Sequence, residues 1–358
     1  MSQVVYITPI KESEPTRVDG IPQTQPYWIH PHLIQSTDPL KGRQFRASNL
    51  IPKGACLLVD RPYAIIPVVD DPETNENLVC SNPACNRRAP HHKGRYPCPN
   101  ACIPDVVWCS DTCRHADQTR HGFECTWLKK YSEPIRAKWS EYDFGMLWII
   151  VRLLATRHTT EMSDQSAFDS ITESSPKQLK HSWEGIESLC GSHDTWSHEQ
   201  VRQWTTFVKK YLQDSPVLPH GLGTDRVLHL ICQEEANSFG LYPRETGIFS
   251  LLNPPVDRGK QFAAAVYPTA AIANHSCIPN IIHKPDDQGG MVFTASRDIQ
   301  PGEECCIAYF DLTQYPDITS RREHLRKSFR FVCQCERCTS EEPQEEIIEW
   351  TAMPLVDI

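Results

Sequence analysis

Three stretches of this sequence gather residues that can do chemistry. The first is Asn274-His275-Ser276-Cys277-Ile278-Pro279-Asn280, followed by Gly302-Glu303-Glu304 and then Tyr309. Two amides, an imidazole, a thiol and a proline within seven residues suit neither a helical stripe nor an alternating strand, so a structured loop is expected. Ala270 to Ala273 lead into it and Ile281-Ile282 leave it, so its polar groups must find partners against a core. The second stretch is Cys80-x4-Cys85, Cys98-x3-Cys102, Cys109-x3-Cys113 and His121-x3-Cys125. Seven thiols and one imidazole in 46 residues supply two tetrahedral zinc sites with no ligand left over. His91, His92 and His115 compete as imidazoles, but the H-x3-C spacing belongs to His121 and the others are read as solvated. The third stretch, Cys333-x-Cys335-x2-Cys338, offers three thiolates, one short of a tetrahedron.

The elements that must position these groups are short and loop-rich. Twenty-nine prolines and sixteen cysteines stand against only sixteen glycines in 358 residues, a composition that calls for cross-links or metal. The cysteine spacings read as zinc ligation and no charged and apolar signal segment opens the chain, so a reducing compartment, nucleus or cytoplasm, is expected. Residues 1–25 are polar and aperiodic and are read as a mobile arm. Phe45 to Ala47, a turn at Ile51-Pro52-Lys53-Gly54, and Ala55 to Val59 predict a β-hairpin. Phe144 to Leu154 is too short for a membrane span and carries Arg152, so a buried helix is expected there, and no membrane partner. Met146, Leu147, Ile150, Val151 and Leu154 make one helical stripe; Val201, Trp204, Val208 and Leu212 make another; Thr159 to Pro176 reads as a loop between them. A net charge of −9 argues against nonspecific nucleic-acid binding and favours a basic partner. Arg87, Arg88, Lys93 and Arg95 form a basic patch too small and too poor in aromatics for a nucleic-acid module.

The pattern N-H-S-C-x-P-N, then G-E-E, then tyrosine resembles the SET domain of protein lysine methyltransferases, and the cysteine series resembles a MYND zinc finger. The resemblance covers roughly residues 40–340. It implies an α+β fold: a split SET domain of short β-sheets with an inserted MYND finger, a helical insert, and a zinc-binding post-SET segment. The expected divisions are 26–79 and 237–312 for the SET parts, 80–125 for the finger, 126–236 for the insert, 313–340 for the post-SET segment and 341–358 for an acidic tail.

By this resemblance one zinc takes Cys80, Cys85, Cys109 and Cys113, a second takes Cys98, Cys102, His121 and Cys125, and Cys277 completes a third with Cys333, Cys335 and Cys338. Cys56, Cys190, Cys232, Cys305 and Cys306 remain as small buried hydrophobes. S-adenosylmethionine is implied as cofactor, held by Lys41, Gly42, Arg43, Asn237, Ser238, Asn274, His275 and Phe331, with Tyr309 facing the methyl group as catalytic residue. Tyr267 and Phe329 are expected along a narrow, apolar lysine channel, Phe329 where some relatives carry tyrosine. Gln44 replaces the second glycine of the N-terminal cofactor loop. The implied reaction is methyl transfer to a protein lysine by a monomeric enzyme, with a proline-containing peptide as the partner of the finger. The chain stops short of the helical repeat domain of many such proteins, which implies a more open peptide site. Two other classes stay open: a zinc-stabilised interaction scaffold without methylation, and a zinc-finger DNA binder, the poorer for the net charge.

Overall fold

The computed structural model describes residues 27–68, 78–88, 95–164, 182–191, 193–213, 215, 217–218, 222–247 and 258–342. The expected arm, residues 1–25, lies outside them, as do His91, His92 and Lys93. The chain opens with strands β1 (Tyr27–Ile29), β2 (Leu33–Asp38), β3 (Gly42–Ala47), β4 (Cys56–Asp60) and β5 (Ala64–Pro67). A small hairpin, β6 (Tyr96–Pro97) and β7 (Val107–Trp108), leads into helices α1 (Asp111–Ala116), α2 (Gln118–Lys138), α3 (Glu141–Asp164), α4 (Trp183–Glu187), α5 (His198–Phe207) and α6 (Thr224–Asn237). Strands β8 (Ser238–Leu241), β9 (Ala263–Val266), β10 (Ile281–Pro285), β11 (Met291–Ala295) and β12 (Glu304–Cys305) follow, then helices α7 (Ile318–Ser328) and α8 (Glu336–Ser340).

The strands assemble into small antiparallel sheets ordered β1-β4-β11-β10, β12-β3-β2, β5-β9-β8 and β6-β7. The first three each join segments from before and after the helical block, which is what splits this domain in sequence, whereas β6-β7 lies wholly before it. The hairpin expected across Ile51 to Gly54 does not form. Ile51 instead pairs with Ile299 through two backbone bonds of 3.0 and 2.9 Å, and Gly54 N–H donates to Ala295 O at 2.8 Å. The turn docks on the later half of the chain, sending β3 and β4 into different sheets. In this N-terminal region a hairpin forms instead between β2 and β3, turned at Asp38, whose Oδ1 accepts from the N–H groups of Leu40 and Lys41 at 2.8 and 3.0 Å.

The helices close on one another through aromatic and aliphatic side chains. Met146, Leu147, Ile150, Val151 and Leu154 are buried, as are Trp204, Val208 and Leu212, with Val201 half-buried. Helix α3 runs on to Asp164, so Thr159 to Asp164 is helical where a loop was expected; the Thr159 and Thr160 hydroxyls donate to Thr156 O at 2.9 and 3.0 Å. The remainder of that expected loop, to Pro176, lies outside the described residues. Helix α2 begins before Cys125 and continues to Lys138, so a boundary at 125 falls inside one helix and the finger and the insert share it.

A buried charge cluster ties three parts of the molecule together. Glu124 on α2 is fully buried and accepts from Arg152 Nη2 at 2.6 Å and from Trp148 Nε1 at 3.3 Å, both on α3. Arg152 Nη1 then donates to Ile65 O on β5 at 2.7 Å. Glu124 also pairs with Arg120 on its own helix at 3.1 Å, so it is removal of Glu124 that would leave the buried Arg152 without a carboxylate, at a cost of about 3–5 kcal/mol. On the other side of the finger, the Arg88 guanidinium lies 3.8 Å from the centroid of the Phe262 ring, seating the finger on the strand-rich core.

Candidate active site and zinc centres

The loop 274–280 owes its shape to the strand that passes beside it. Ile307 N–H donates to Asn274 O and Ser276 N–H to Ile307 O, both at 2.9 Å, a parallel bridge between loop and strand. Asn280 closes the other end: its Oδ1 accepts from Cys306 N–H at 2.8 Å and its Nδ2 donates to Glu304 O at 2.8 Å. The turn Gln300 to Glu303 feeds this strand, with Pro301 and then Gly302 at φ +81°, a left-handed value that a side chain would strain. It delivers Glu304, whose Oε1 accepts from Asn274 Nδ2 at 3.0 Å and whose Oε2 pairs with Lys41 Nζ at 2.5 Å. Upstream, the buried Asp60 carboxylate accepts from Thr269 and Ala270 N–H at 2.9 and 2.7 Å, fixing the short 3-10 turn that enters the loop.

His275 and Tyr309 are locked together. Tyr309 N–H donates to His275 Nδ1 at 3.1 Å, so the ring proton sits on Nε2, which faces Cys277 Sγ at 3.3 Å. Burial pushes the His275 pKa down to about 4, which keeps that ring neutral. The Tyr309 hydroxyl donates to Ala273 O at 3.1 Å, and burial raises its pKa further above the phenol range. With its proton committed to a carbonyl, the oxygen presents lone pairs to whatever lies before it.

What lies before it is the meeting of two cavities. A cleft of about 760 Å³ is lined by Lys41, Arg43, Asn237, Asn274, His275 and Phe331 among others, and Tyr309 is part of its wall. A chamber of about 100 Å³ adjoins it, lined by Ser238, Phe239, Tyr242, Arg258 and His283 among others. Tyr309, Phe329, Asn237, Ala236 and Ala271 line both. Phe329 stands 5.0 Å from the Tyr309 ring.

Several expected positions differ. Gly42 lines neither cavity, and a Cβ there meets open space, so its φ of +74° serves the β2–β3 turn. Ser238 lines the chamber and not the cleft. Arg43 turns to the insert, donating to Ser188 O at 2.7 Å and Ser188 Oγ at 3.1 Å. Tyr267 lines no channel: it is fully buried, its hydroxyl donates to Gly289 O, and its ring packs edge-on behind Phe239 at 5.5 Å. Gln44 is not part of the cleft lining; it is buried in its sheet, where the amide orientation that satisfies both ends has its nitrogen donating to Glu304 Oε1 at 3.1 Å and its oxygen accepting from Arg46 Nε at 2.9 Å. Cys190 is exposed and lines the cleft, and Cys56 is half-buried, so these two are not core thiols. The chamber wall is polar where an apolar one was expected.

Three ligand groups assemble with donor atoms all within 4.8 Å of one another: Cys80, Cys85, Cys109 and Cys113; Cys98, Cys102, His121 and Cys125; Cys277, Cys333, Cys335 and Cys338. Sulfur pairs stand 3.6 Å apart for Cys85–Cys109, Cys98–Cys125 and Cys277–Cys338. A tetrahedron with zinc–sulfur bonds of about 2.3 Å has edges of about 3.8 Å, so the donors fit that ion. All sixteen cysteines are free of disulfides. Ser110 caps α1 by accepting from Cys113 N–H at 3.1 Å, which places that thiol in the first turn. His121 faces Cys98 Sγ through Nε2 at 3.1 Å while Nδ1 meets Glu124 Oε1 at 3.3 Å, the carboxylate orientation that fixes a ligating imidazole. In the third group, Cys277 draws the C-terminal segment onto the loop 274–280, and Arg321, fully buried on α7, reaches Glu341 and lies 4.0 Å from Cys338 Sγ. Glu341 and Glu342, at the start of the expected acidic tail, are thus paired with Arg321 and Arg322, the latter at 2.6 Å; residues 343–358 lie outside the described ones.

Sequence reasoning missed Glu124, Arg258 and His283. Glu124 was signalled by its place three residues after His121 on one helix face. His283 shares the period-two buried face of β10 with Ile281, a signal that marks a histidine pointing inward. Arg258 carried no signal, since it meets His283 only through the fold.

Comparison with known proteins follows the same lines. A family model, "SET domain", matches residues 42–310. The chain is 39% identical over 126 residues to the "Potential protein lysine methyltransferase SET6" of Saccharomyces cerevisiae, covering 35% of this chain and 29% of that protein. It is 25% identical to the "N-lysine methyltransferase SMYD2-B" of Danio rerio over 87% of this chain and 61% of the relative. It is also 25% identical to the "Histone-lysine N-methyltransferase SET5" of Eremothecium gossypii, over 88% and 63%. The chain spans less than two thirds of the length of each of these three relatives.

Proposed function

Because this chain belongs to the SET domain family, we propose that its cleft and chamber together carry out S-adenosylmethionine-dependent methyl transfer to a lysine side chain of a protein. The observation that carries this reading is the meeting of a large cleft and a small chamber at one tyrosine, Tyr309. The cleft, about 760 Å³, falls within the roughly 300–1,000 Å³ usual for small-molecule sites. Its donor set fits an amino-acid sulfonium nucleoside: Lys41 for a carboxylate, Glu303, Glu304 and Glu336 for an ammonium, and Phe331 for an aromatic base. When bound, that cofactor supplies a methyl carbon made electrophilic by positive sulfur.

The rest falls to the protein. The stitched loop 274–280 holds Asn274 and His275 rigid on the cleft wall, so little order is lost when the site fills. The chamber admits the end of one lysine side chain and aims its nitrogen at the junction. Alignment of amine, methyl carbon and sulfur on one axis accounts for most of the rate, and Tyr309 guards that axis with an oxygen whose own proton is fixed on Ala273 O. Cys277, Cys333, Cys335 and Cys338 would hold a zinc ion, which would fasten the C-terminal segment to the loop and so keep Phe331 in the cleft wall. The finger is proposed to dock a proline-containing peptide of a partner, and the chain to act as a monomer in nucleus or cytoplasm without nucleic acid.

One observation favours a second reading, a zinc-stabilised interaction scaffold. Lys41 is already paired with Glu304 and Arg43 with Ser188, so both basic side chains at the cleft mouth are engaged. Calorimetric titration of S-adenosylmethionine into the zinc-loaded chain separates the two. Methyl transfer requires saturable one-to-one binding, weakened about tenfold by Phe331→Ala, equivalent to about 1.4 kcal/mol. Absence of saturable binding in the unmodified chain supports the scaffold.

A further inference from the structure

The chamber beyond Tyr309 holds more polarity than a passage for four methylene groups needs. The Arg258 guanidinium lies flat over the Tyr242 ring, 3.6 Å from its centroid, and donates to the Tyr242 hydroxyl at 3.0 Å. No carboxylate pairs with it among the described residues, although it is half-buried in the chamber wall. Beside it stands His283, only 7% exposed, on β10. Its backbone is fully used, with N–H donating to Thr246 O at 3.0 Å and O accepting from Thr246 N–H at 2.8 Å. Its ring is held edge-on to Phe239 at 6.0 Å and beside Phe293 at 5.9 Å, yet its Nδ1 has no hydrogen-bond partner. That nitrogen is enclosed, out of reach of a water-sized group, so the ring meets the chamber through its other atoms.

We infer that Arg258 and His283 set the protonation state of the target amine: the Arg258 charge disfavours the ammonium form, and the neutral His283 ring beside it adds no charge that offsets this. This inference rests on the lysine methyl-transfer reading above. A neutral amine has the lone pair that attacks the methyl carbon; the ammonium has none, and the proton it must lose first goes to bulk buffer. Free lysine loses that proton only near pH 10.4. His283 shows the sign of the local field, because burial first and the Arg258 charge second push its own pKa down to about 3. An amine beside it meets both effects in the same direction.

Other groups facing the chamber do not cancel that charge. Tyr309 stays a neutral phenol, since burial raises its pKa. Tyr242 contributes the hydroxyl and ring that hold Arg258 in place. Glu234, in contact with Ser238 from α6, is pushed well above the carboxylate range by burial and by Glu235, which disfavours its charged form. Glu235 is turned away toward Tyr142, whose hydroxyl donates to it at 2.6 Å. Asn237 and Ser238 carry no charge.

The test is the pH profile of methyl transfer from labelled S-adenosylmethionine to poly-L-lysine and to core histones. It is run for the unmodified chain, Arg258→Gln and Arg258→Lys, with cofactor affinity measured beside it. The expected result is a kcat, which reports the amine bound in the chamber, that rises with pH to a plateau, with a midpoint about one pH unit higher in Arg258→Gln, brought back by Arg258→Lys. Cofactor affinity should stay within about twofold throughout. An unmoved midpoint in Arg258→Gln with cofactor binding intact overturns the inference. Should the unmodified chain transfer no methyl, the methyl-transfer reading fails, and the imidazole resonance of His283 followed against pH then decides this one. Its pKa must rise in Arg258→Gln, and an unchanged value overturns the role given to Arg258.

Discussion

Tyr309 is tied at both ends to the loop it faces, its N–H on His275 Nδ1 and its hydroxyl on Ala273 O. Such a residue cannot swing, so its oxygen marks a fixed point at the junction of cleft and chamber. Tyr309→Phe keeps the ring against Phe329 and Phe331 but deletes that oxygen. The lost bond to Ala273 O costs about 1 kcal/mol of stability, visible as a small drop in melting temperature. Loss of the oxygen from the reaction centre costs more, about 2.7–4 kcal/mol by analogy with a deleted oxyanion donor, or about two to three orders of magnitude in turnover. Cofactor affinity should hardly change. Activity within a few-fold of the unmodified protein assigns Tyr309 to packing alone.

The loop, its partner strand and the C-terminal cysteines act as one element. Cys277 belongs both to the loop that lines the cleft and to the third ligand group, and Phe331 and Val332 lie in the wall directly before Cys333. Removing a ligand there should therefore open the cleft, whereas a ligand lost from the first group frees only part of the finger. Cys335→Ser should weaken S-adenosylmethionine at least about tenfold relative to Cys80→Ser, by calorimetry on proteins shown by melting to be folded. Equal losses indicate general unfolding and break the proposed link between metal and cofactor. At this scale the sequence was readable where partners are local. Cys109-x3-Cys113 and His121-x3-Cys125 place two donors within one helical turn or knuckle, so spacing alone discloses them. The partner of Ile51 is Ile299, far along the chain, so no short-range signal distinguishes the observed docking from a hairpin. Tyr267 shows the same limit: an aromatic just before the loop fits a channel wall, but its hydroxyl finds Gly289 O in the core.

Across the whole molecule, one buried network joins finger, insert and sheets: His121 to Glu124, Glu124 to Arg152, Arg152 to Ile65 O. A zinc ion held by Cys98, Cys102, His121 and Cys125 would thus bear, through His121 and Glu124, on α3 and β5. The α+β architecture was legible because the motifs of the loop and the finger are dense and ordered; the polar chamber was not, because Arg258 and His283 meet only through the pairing of β10 with the segment around Thr246. Everything functional turns on whether cleft and chamber cooperate in one reaction. The most direct measurement is transfer of a labelled methyl group from S-adenosylmethionine to a broad set of lysine-bearing proteins, with the acceptor atom located by mass spectrometry. This account predicts label on lysine side-chain nitrogens, lost when zinc is stripped and reduced about two to three orders of magnitude by Tyr309→Phe. Saturable cofactor binding without label on lysine across that set would contradict it.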